Sequence, residues 1–246
     1  MPLLPTRLRA GLASCACLLW VSLATPRVGE AHRDDYIDET FVYTTLERGE
    51  REVELWGESR RTEAHTTERW VTGAFEYGVT SRWTLDGAFQ FVDRSAGVQW
   101  GRLRTETRYR FSEEGHGPLD LAASAEYELE TSAATGGETE HTLTPRVVVS
   151  KDLTPKLNTT LNLDAPISLS DGGVSFAYAV GVRYPAEALL RVGTEIKGQP
   201  SRHSAVAFPQ LWVALGHDTT IKVGTGIGLT DRTDRFIVRG VFETEF

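Results

Sequence analysis

The residues of this sequence best suited to bind or select a solute form two rows of charged side chains. In both rows a charged residue recurs at every second position, with an uncharged residue between each two. The rows are Arg102, Arg104, Glu106, Arg108 and Arg110, and then Glu126, Glu128 and Glu130. A period of two places such side chains on one face of a β-strand. Two consecutive strands that pair antiparallel would bring the rows together.

These charged rows allow two interpretations. In a membrane barrel they must face the interior, because an arginine at the bilayer midplane costs about 2–4 kcal/mol. They could line a constriction that selects solutes, as charged rings do in channels. They could instead form an Arg–Glu network that fills a narrow barrel. The two interpretations do not exclude each other, and both need a closed sheet around the rows.

The same period of two recurs along most of the 246-residue chain. No window shows a helical period of 3.6. The alternating runs cover residues 51–60, 66–78, 82–93, 98–111, 118–131, 139–150, 155–165, 174–184, 188–197, 206–216, 219–229 and 234–246. Their lengths suit the roughly 9–11 tilted residues of a membrane strand. The sequence therefore predicts an all-β fold, a transmembrane antiparallel up-and-down β-barrel of about twelve strands over residues 51–246.

The connections between the runs differ in length. The tight ones are residues 78–82, 151–155, 185–187 and 216–219, and the longer ones are residues 132–138, 165–173 and 198–205. Outer-membrane barrels have short periplasmic turns and longer loops on the other side. An even strand number keeps both chain ends on the side of the short turns. Pro145 and Pro209 weaken the sixth and tenth runs, because proline is poor in central strands.

The final run carries an aromatic face and ends on phenylalanine. Its alternating face contains Phe236, Phe242 and Phe246, and charged residues such as Arg239 lie between them. This pattern resembles the closing strand of bacterial outer-membrane β-barrels. The resemblance implies that Phe242 and Phe246 form a signal for the barrel assembly machinery. Aromatic residues near the ends of several runs also indicate the girdles that such barrels place at the membrane interfaces.

Residues 75–87 (FEYGVTSRWTLDG) form a hairpin pattern of strand, glycine, aliphatic residue, threonine, serine, arginine and strand. The pattern resembles hairpins of small proteobacterial outer-membrane barrels. These include predicted transporters grouped with meta-pathway phenol-degradation proteins. The resemblance implies an outer-membrane location and passage of small molecules, and it implies no catalytic residues.

The N-terminal part has the features of a secretory signal followed by an acidic segment. Arg7 and Arg9 precede an apolar run over residues 11–23, which is too short to span a bilayer as a helix. Residues 1–31 are therefore predicted to be a cleaved signal peptide. The signal contains both cysteines, Cys15 and Cys17, so disulfides and thiolate metal sites are not expected.

Residues 32–50 are predicted to be an acidic periplasmic segment. Its early residues, His32, Asp34, Asp35, Asp38 and Glu39, offer oxygen ligands for a hard cation. They lack the glycine-containing loop spacing of a calcium site. A solvated tail, or a plug that enters the lumen, is the favoured interpretation.

The predicted function is passive passage of small solutes through an Arg/Glu-lined lumen in the outer membrane. The first alternative is a closed barrel that acts as a structural or interaction component of the envelope. A lipid-modifying enzyme is third, because no serine pairs evidently with His141. We expect no enzymatic activity, metal or cofactor. The expected partners are outer-membrane lipid, the assembly machinery and small solutes, and the net charge of −8 argues against nucleic acid.

Overall fold

A computed structural model describes residues 36–37, 39–42, 44–94, 97–112, 117–216 and 218–246. The predicted signal peptide lies outside the described residues. The strands of the barrel are β1 Arg51–Arg61, β2 Thr67–Thr80, β3 Trp83–Arg94, β4 Gly97–Arg110, β5 Asp120–Glu130, β6 Glu140–Thr154, β7 Leu157–Asp164, β8 Ala177–Tyr184, β9 Leu190–Gln199, β10 Ser204–Ala214, β11 Thr219–Gly228 and β12 Phe236–Glu245. The predicted all-β fold with about twelve strands is confirmed.

The sheet closes into a barrel. Each strand pairs antiparallel with the next one, and β12 returns to pair with β1 from Phe236↔Arg61 to Glu245↔Glu52. Closure leaves no free sheet edge, which is what a membrane-spanning sheet requires. The smaller elements are the two-residue strands Tyr36–Ile37, Thr40–Phe41 and Ile167–Ser168, one helical turn at Ser132–Thr135 and a 3₁₀ turn at Pro200–Arg202. No helix among the described residues is long and apolar enough to cross a bilayer.

The two ends of the barrel carry different connections. We call the end where β1 begins and β12 ends the lower end, and the opposite end the upper end. Residues 165–176 form the longest connection, at the upper end, whereas residues 81–82 and 155–156 make tight lower turns. The predicted sidedness is incomplete, because residues 111–119 form a long connection at the lower end and residues 95–96 a short one at the upper end.

The barrel is apolar outside and charged inside. Outward side chains such as Leu55, Phe75, Phe89 and Val223 are about half exposed. Their neighbours in sequence, such as Glu54, face the interior and are buried. Soluble monomers rarely expose an apolar surface of this extent. The exterior therefore suits the hydrocarbon of a bilayer, and the charged rows have to be accommodated within the lumen.

Aromatic side chains ring both ends of the exterior. The exposed aromatic residues of the lower end are Tyr77, Trp83, Tyr109, Phe111, Tyr184, Phe242 and Phe246. Near the upper end, Phe91 pairs with Trp100 across β3 and β4, and Phe236 opens β12. Aromatic rings of this kind favour the two membrane–water interfaces. The arrangement matches the girdles expected from the sequence.

Pro145 and Pro209 lie within strands although they weaken the alternating pattern. Both side chains point outward and are exposed. Pro209 falls where the β10–β11 register is interrupted, between Ala207↔Ile227 and Gln210↔Gly224. A proline has no N–H to donate, so it is tolerated where the ladder is already broken.

Residues 44–50 run along the inner wall at the lower end. Gly49 N donates to Gly78 O at 2.7 Å, and Gly78 N donates to Glu50 O at 3.0 Å. A Cβ atom at Gly78 would lie 1.9 Å from Glu47 O. Gly78 is therefore glycine because the segment passes directly over it.

We expect Gly78→Ala to displace this segment and to increase its proteolytic cleavage several-fold in the detergent-solubilised protein. Mass spectrometry of the first cleavage products would measure the change. Gly73→Ala is the matched control, because it lies on the same strand with nothing within 4 Å of its ideal Cβ position. Equal cleavage in the two variants would contradict the close approach.

Candidate functional site in the barrel lumen

The eight charged residues singled out in the sequence lie on the interior face of β4 and β5. The register pairs Arg102↔Glu130, Arg104↔Glu128 and Glu106↔Glu126, so both rows face the same way. Arg108 and Arg110 continue the β4 row toward the lower end, opposite Ser124 and Ala122.

The arginines of the β4 row are held by carboxylates of three different strands. Arg102 pairs with Glu130 and, at 3.2 Å, with Glu128 of β5. The ion pairs to the other side of β4 are Arg104–Asp86 at 3.3 Å and Arg108–Glu76 at 3.3 Å. Arg110 Nη2 donates to Ser81 O at 2.6 Å. The row is thus fixed in place, as a rigid lumen wall requires.

Arg146 of β6 is a lumen residue that the sequence analysis missed. Its guanidinium contacts Asp164 at 2.8 Å, Glu106 at 3.2 Å and Glu126 at 3.9 Å. One arginine therefore links strands β4, β5, β6 and β7. The neighbouring Pro145 obscured the alternation of this run, although Arg146 occupies the interior phase of it.

The N-terminal segment enters the lumen. The sequence left open a solvated tail or a plug, and residues 39–42 and 44–46 lie inside the barrel. Phe41 and Val42 form a buried cluster with interior side chains of β5, β6 and β10, namely Ala122, Val148 and Trp212. Burial of these apolar side chains holds the segment against the wall. The segment therefore occupies the middle of the lumen.

Phe41 sits between two arginines. The guanidinium carbon of Arg108 lies 4.3 Å from the centre of its ring, and that of Arg146 lies 4.8 Å away. Cation–π contacts of this kind gain strength where water is scarce. The ring thereby connects β4 and β6 on the inner face of the barrel.

The backbone of Phe41 is bound by β7. Thr160 Oγ1 donates to Phe41 O at 2.8 Å. The Asn162 amide donates to the same carbonyl at 3.0 Å and accepts from Phe41 N at 2.8 Å. Main-chain and side-chain contacts together anchor this residue to β4, β6 and β7.

Above Phe41 the lumen widens into a cavity of about 430 Å³, which we call the vestibule. Its lining extends from Gln199 and Ser204 at the upper rim to Glu39 and Phe41 at its floor. Trp70 lines one side, with the Arg60 guanidinium 5.0 Å from its ring centre. The vestibule is large enough for a small polar solute.

Residues 132–135 narrow the upper mouth beside Trp70. Arg94 donates to Ala133 O at 2.6 Å and to Ala134 O at 2.7 Å, and it pairs with Glu68 at 2.9 Å. Ala134 packs on Trp70 and Val92. A helical turn is thus bound to the inner wall at the rim.

The charged lining of the vestibule is balanced. The positive side chains are Arg60, Arg102, Arg104, Arg146, Lys197 and Arg239, and the negative ones are Glu39, Glu58, Glu126, Glu128, Asp164 and Asp234. Six charges of each sign leave no net charge to attract one type of ion over the other. A balanced lining suits neutral and zwitterionic solutes.

The lower half of the lumen contains two groups of carboxylates, all of them buried except the half-buried Glu245. Glu52 belongs to both, with Glu54 and Glu76 in one and Glu243 and Glu245 in the other. Cations lie beside them, because Arg108 pairs with Glu76 and Lys222 pairs with Glu243. These contacts favour a structural ion-pair network in this half of the barrel.

The described histidines lie outside the lumen wall. His65 and His203 occupy upper turns with positive φ angles. His141 Nδ1 lies 2.8 Å from the hydroxyl of Tyr127, which pairs it with an outward aromatic residue of β5. This hydrogen bond gives the His141 ring a structural partner that is not a serine nucleophile. It provides no support for the enzyme alternative.

Fold and lumen together define a class of protein, a twelve-stranded β-barrel of the outer-membrane type with a charged interior. No protein-family model and no curated protein matches the sequence. Solved structures share the fold. The KdgM porin matches with a TM-score of 0.58 and 10% identity over 79% of this chain and 99% of that chain.

Two further structures extend the comparison. The NanC porin matches with a TM-score of 0.56 and 13% identity over 79% of this chain and 98% of that one. Omp33 of Acinetobacter baumannii matches with a TM-score of 0.51 and 10% identity over 80% and 99%. At such identities the comparisons concern the fold. The closed sheet, the apolar exterior and these neighbours place the protein in the outer membrane.

Phe246 ends the chain at the lower rim with its side chain exposed. Its backbone completes the β12–β1 ladder, since Phe246 N donates to Arg51 O at 2.9 Å. Phe246→Ala keeps this backbone contact and removes only the ring. We expect it to reduce the amount of assembled barrel in the outer membrane several-fold, because the terminal ring is the predicted assembly signal.

Heat-modifiable gel mobility of membrane fractions would measure the assembled form. Phe111→Ala is the control, since Phe111 is an exposed aromatic residue at the same end of the barrel. Equal loss in both variants would mean that the terminal position has no special importance.

Proposed function

We propose that the protein is a narrow outer-membrane channel for the passive passage of small solutes, with Arg and Glu side chains lining its path. The vestibule carries this proposal, because a polar cavity of about 430 Å³ leads from the upper rim to Phe41. Porin neighbours with the same fold support it. The short lower turns then face the periplasm, and the vestibule faces outward.

The balanced charges of the vestibule favour small neutral or zwitterionic solutes. Arg102, Arg104, Glu126 and Glu128 present both signs on one wall. A solute with hydroxyl, amino and carboxylate groups can exchange hydrogen bonds with such a wall while it gives up water. The resemblance of residues 75–87 to meta-pathway transporters adds small phenols as a narrower solute hypothesis.

The runner-up is a closed barrel with a structural or interaction function in the envelope. Phe41 and its contacts with Arg108 and Arg146 favour it, because they fill the lumen below the vestibule. In either case we propose outer-membrane lipid as the surroundings. The barrel assembly machinery is the proposed partner of Phe242 and Phe246.

Osmotic swelling of proteoliposomes tests the channel. We expect faster swelling in glycine and in monosaccharides than in a trisaccharide, with empty liposomes as the baseline. The Arg104→Ala, Arg108→Ala double variant should swell faster, because it removes two side chains from the path. No swelling above the baseline in any solute, for the parent or for the double variant, would favour the closed barrel.

A further inference from the structure

The carboxylate of Glu39 lies on the floor of the vestibule and is bound by cations of two different strands. Lys197 of β9 pairs with one of its oxygens, and Arg239 Nη2 of β12 lies 2.5 Å from the other. The Glu39 side chain remains 38% exposed. Solutes that enter the vestibule therefore meet this ion pair directly.

Arg239 is held in position by groups other than Glu39. Its Nε donates to Glu58 Oε2 at 2.6 Å. Its guanidinium carbon lies 5.2 Å from the ring centre of Trp56 and 4.8 Å from that of Phe208. The side chain is nine-tenths or more buried, at 4% exposure. A guanidinium held in one position is preorganised to bind a carboxylate that reaches it.

Lys197 is also retained without Glu39, because Glu195 Oε1 lies 3.7 Å from its ammonium nitrogen. Enclosure by the barrel opposes ionisation of Glu39, but the attraction of Lys197 and Arg239 outweighs it and holds its pKa well below its ordinary value. Glu39 is thus a fully charged ligand of a site whose two cations belong to the barrel wall.

We propose that Lys197 and Arg239 form a binding site for small carboxylates in the vestibule, and that Glu39 occupies it as an internal, competing ligand. A solute carboxylate that takes its place loosens the N-terminal segment, because Glu39 is the charged anchor of residues 39–46. The other anchors of the segment carry no net charge of their own, and they include the Thr40–Glu195 hydrogen bond, the contacts of Phe41 with β7 and the donation from Leu46 N to Thr84 at 3.0 Å. The inference rests on the proposed channel, since it names the carboxylate as the group by which zwitterionic solutes would bind in the same path.

Thiol labelling of the buried segment tests this competition. Val42 is fully buried at 0% exposure, and the only native cysteines lie in the predicted signal peptide. In purified Val42→Cys protein, a water-soluble maleimide reports how often the segment leaves the wall. We expect sodium acetate to raise the labelling rate several-fold over sodium chloride at matched ionic strength and neutral pH.

A second substitution distinguishes the site from a general salt effect. Adding Glu39→Gln should raise the labelling rate in chloride to the acetate level and abolish the response to acetate. Glu47→Gln is the control in the same segment, since Glu47 is exposed, and it should leave both rates unchanged. Heat-modifiable gel mobility checks that each variant is folded.

Two outcomes would overturn the inference. Equal labelling in acetate and chloride would show that acetate does not compete with Glu39. An undiminished acetate response in the Glu39→Gln variant would place the effect elsewhere. Labelling requires no flux, so an acetate response in a protein that fails the swelling test would uphold the site and contradict the channel.

Discussion

Removal of residues 36–46 is expected to increase the single-channel conductance of the barrel several-fold. The deletion takes Phe41 and Val42 out of the middle of the lumen, where they contact Arg108 and Trp212. It removes no pair of barrel strands, because closure depends on β12 and β1. Conductance follows the open cross-section, so the variant should behave as a wider pore.

The same deletion should increase the selectivity of the channel for anions over cations. It removes the Glu39 carboxylate from Lys197 and Arg239 and uncovers Arg146. The reversal potential in a salt gradient across a planar bilayer would measure this change. Glu47→Gln provides the control, as it alters the charge of the segment without opening the path. A deletion variant with the parent's conductance and selectivity would contradict a lumen filled by Phe41, Val42 and their neighbours.

Replacement of Arg146 by alanine is expected to lower the free energy of unfolding of the barrel by several kcal/mol, about 3–5 kcal/mol for a broken buried ion pair. The change leaves Glu106, Asp164 and Glu126 without their shared cation. Breaking a buried ion pair from one side typically costs about 3–5 kcal/mol, because the remaining charge is uncompensated. It also removes the Phe41 contact.

Urea titration of the barrel in lipid vesicles, followed by gel mobility, would measure the free energy of unfolding. Arg69→Ala is the matched control, because Arg69 pairs with Asp93 at 3.5 Å on the exposed exterior. Exposed pairs contribute about 0–1 kcal/mol. Similar losses in the two variants would indicate that the interior network does not stabilise the barrel.

Much of the fold follows from the period of two alone. Each run has one apolar face, and closure leaves only one arrangement in which residues such as Arg104 and Glu128 avoid lipid. The charged face of the last strand likewise placed Arg239 and Glu243 in the lumen or at the periplasmic rim, and the structure buries both side chains in the lumen. These inferences need only the alternation of side chains along a strand and the cost of charge in hydrocarbon.

The position of the N-terminal segment could not be predicted in the same way. Residues 39–46 have no alternating pattern, and their partners Thr160, Lys197 and Arg239 are remote in sequence. Only barrel closure brings β7, β9 and β12 around one point. The multiple partners of Arg146 depend on closure for the same reason, so its charge was visible in the sequence but its contacts were not.

The most direct test of the account joins the segment to the wall reversibly. In a Glu39→Cys, Lys197→Cys variant, a short bifunctional thiosulfonate reagent would replace the ion pair with a link that reductant cleaves. Both positions face the vestibule, so the reagent can reach them. We predict channel steps of low conductance in a planar bilayer while the link is intact, and several-fold larger steps after reduction. Steps that persist unchanged in the linked protein, or no steps in either state, would contradict a channel that its own N-terminal segment restricts.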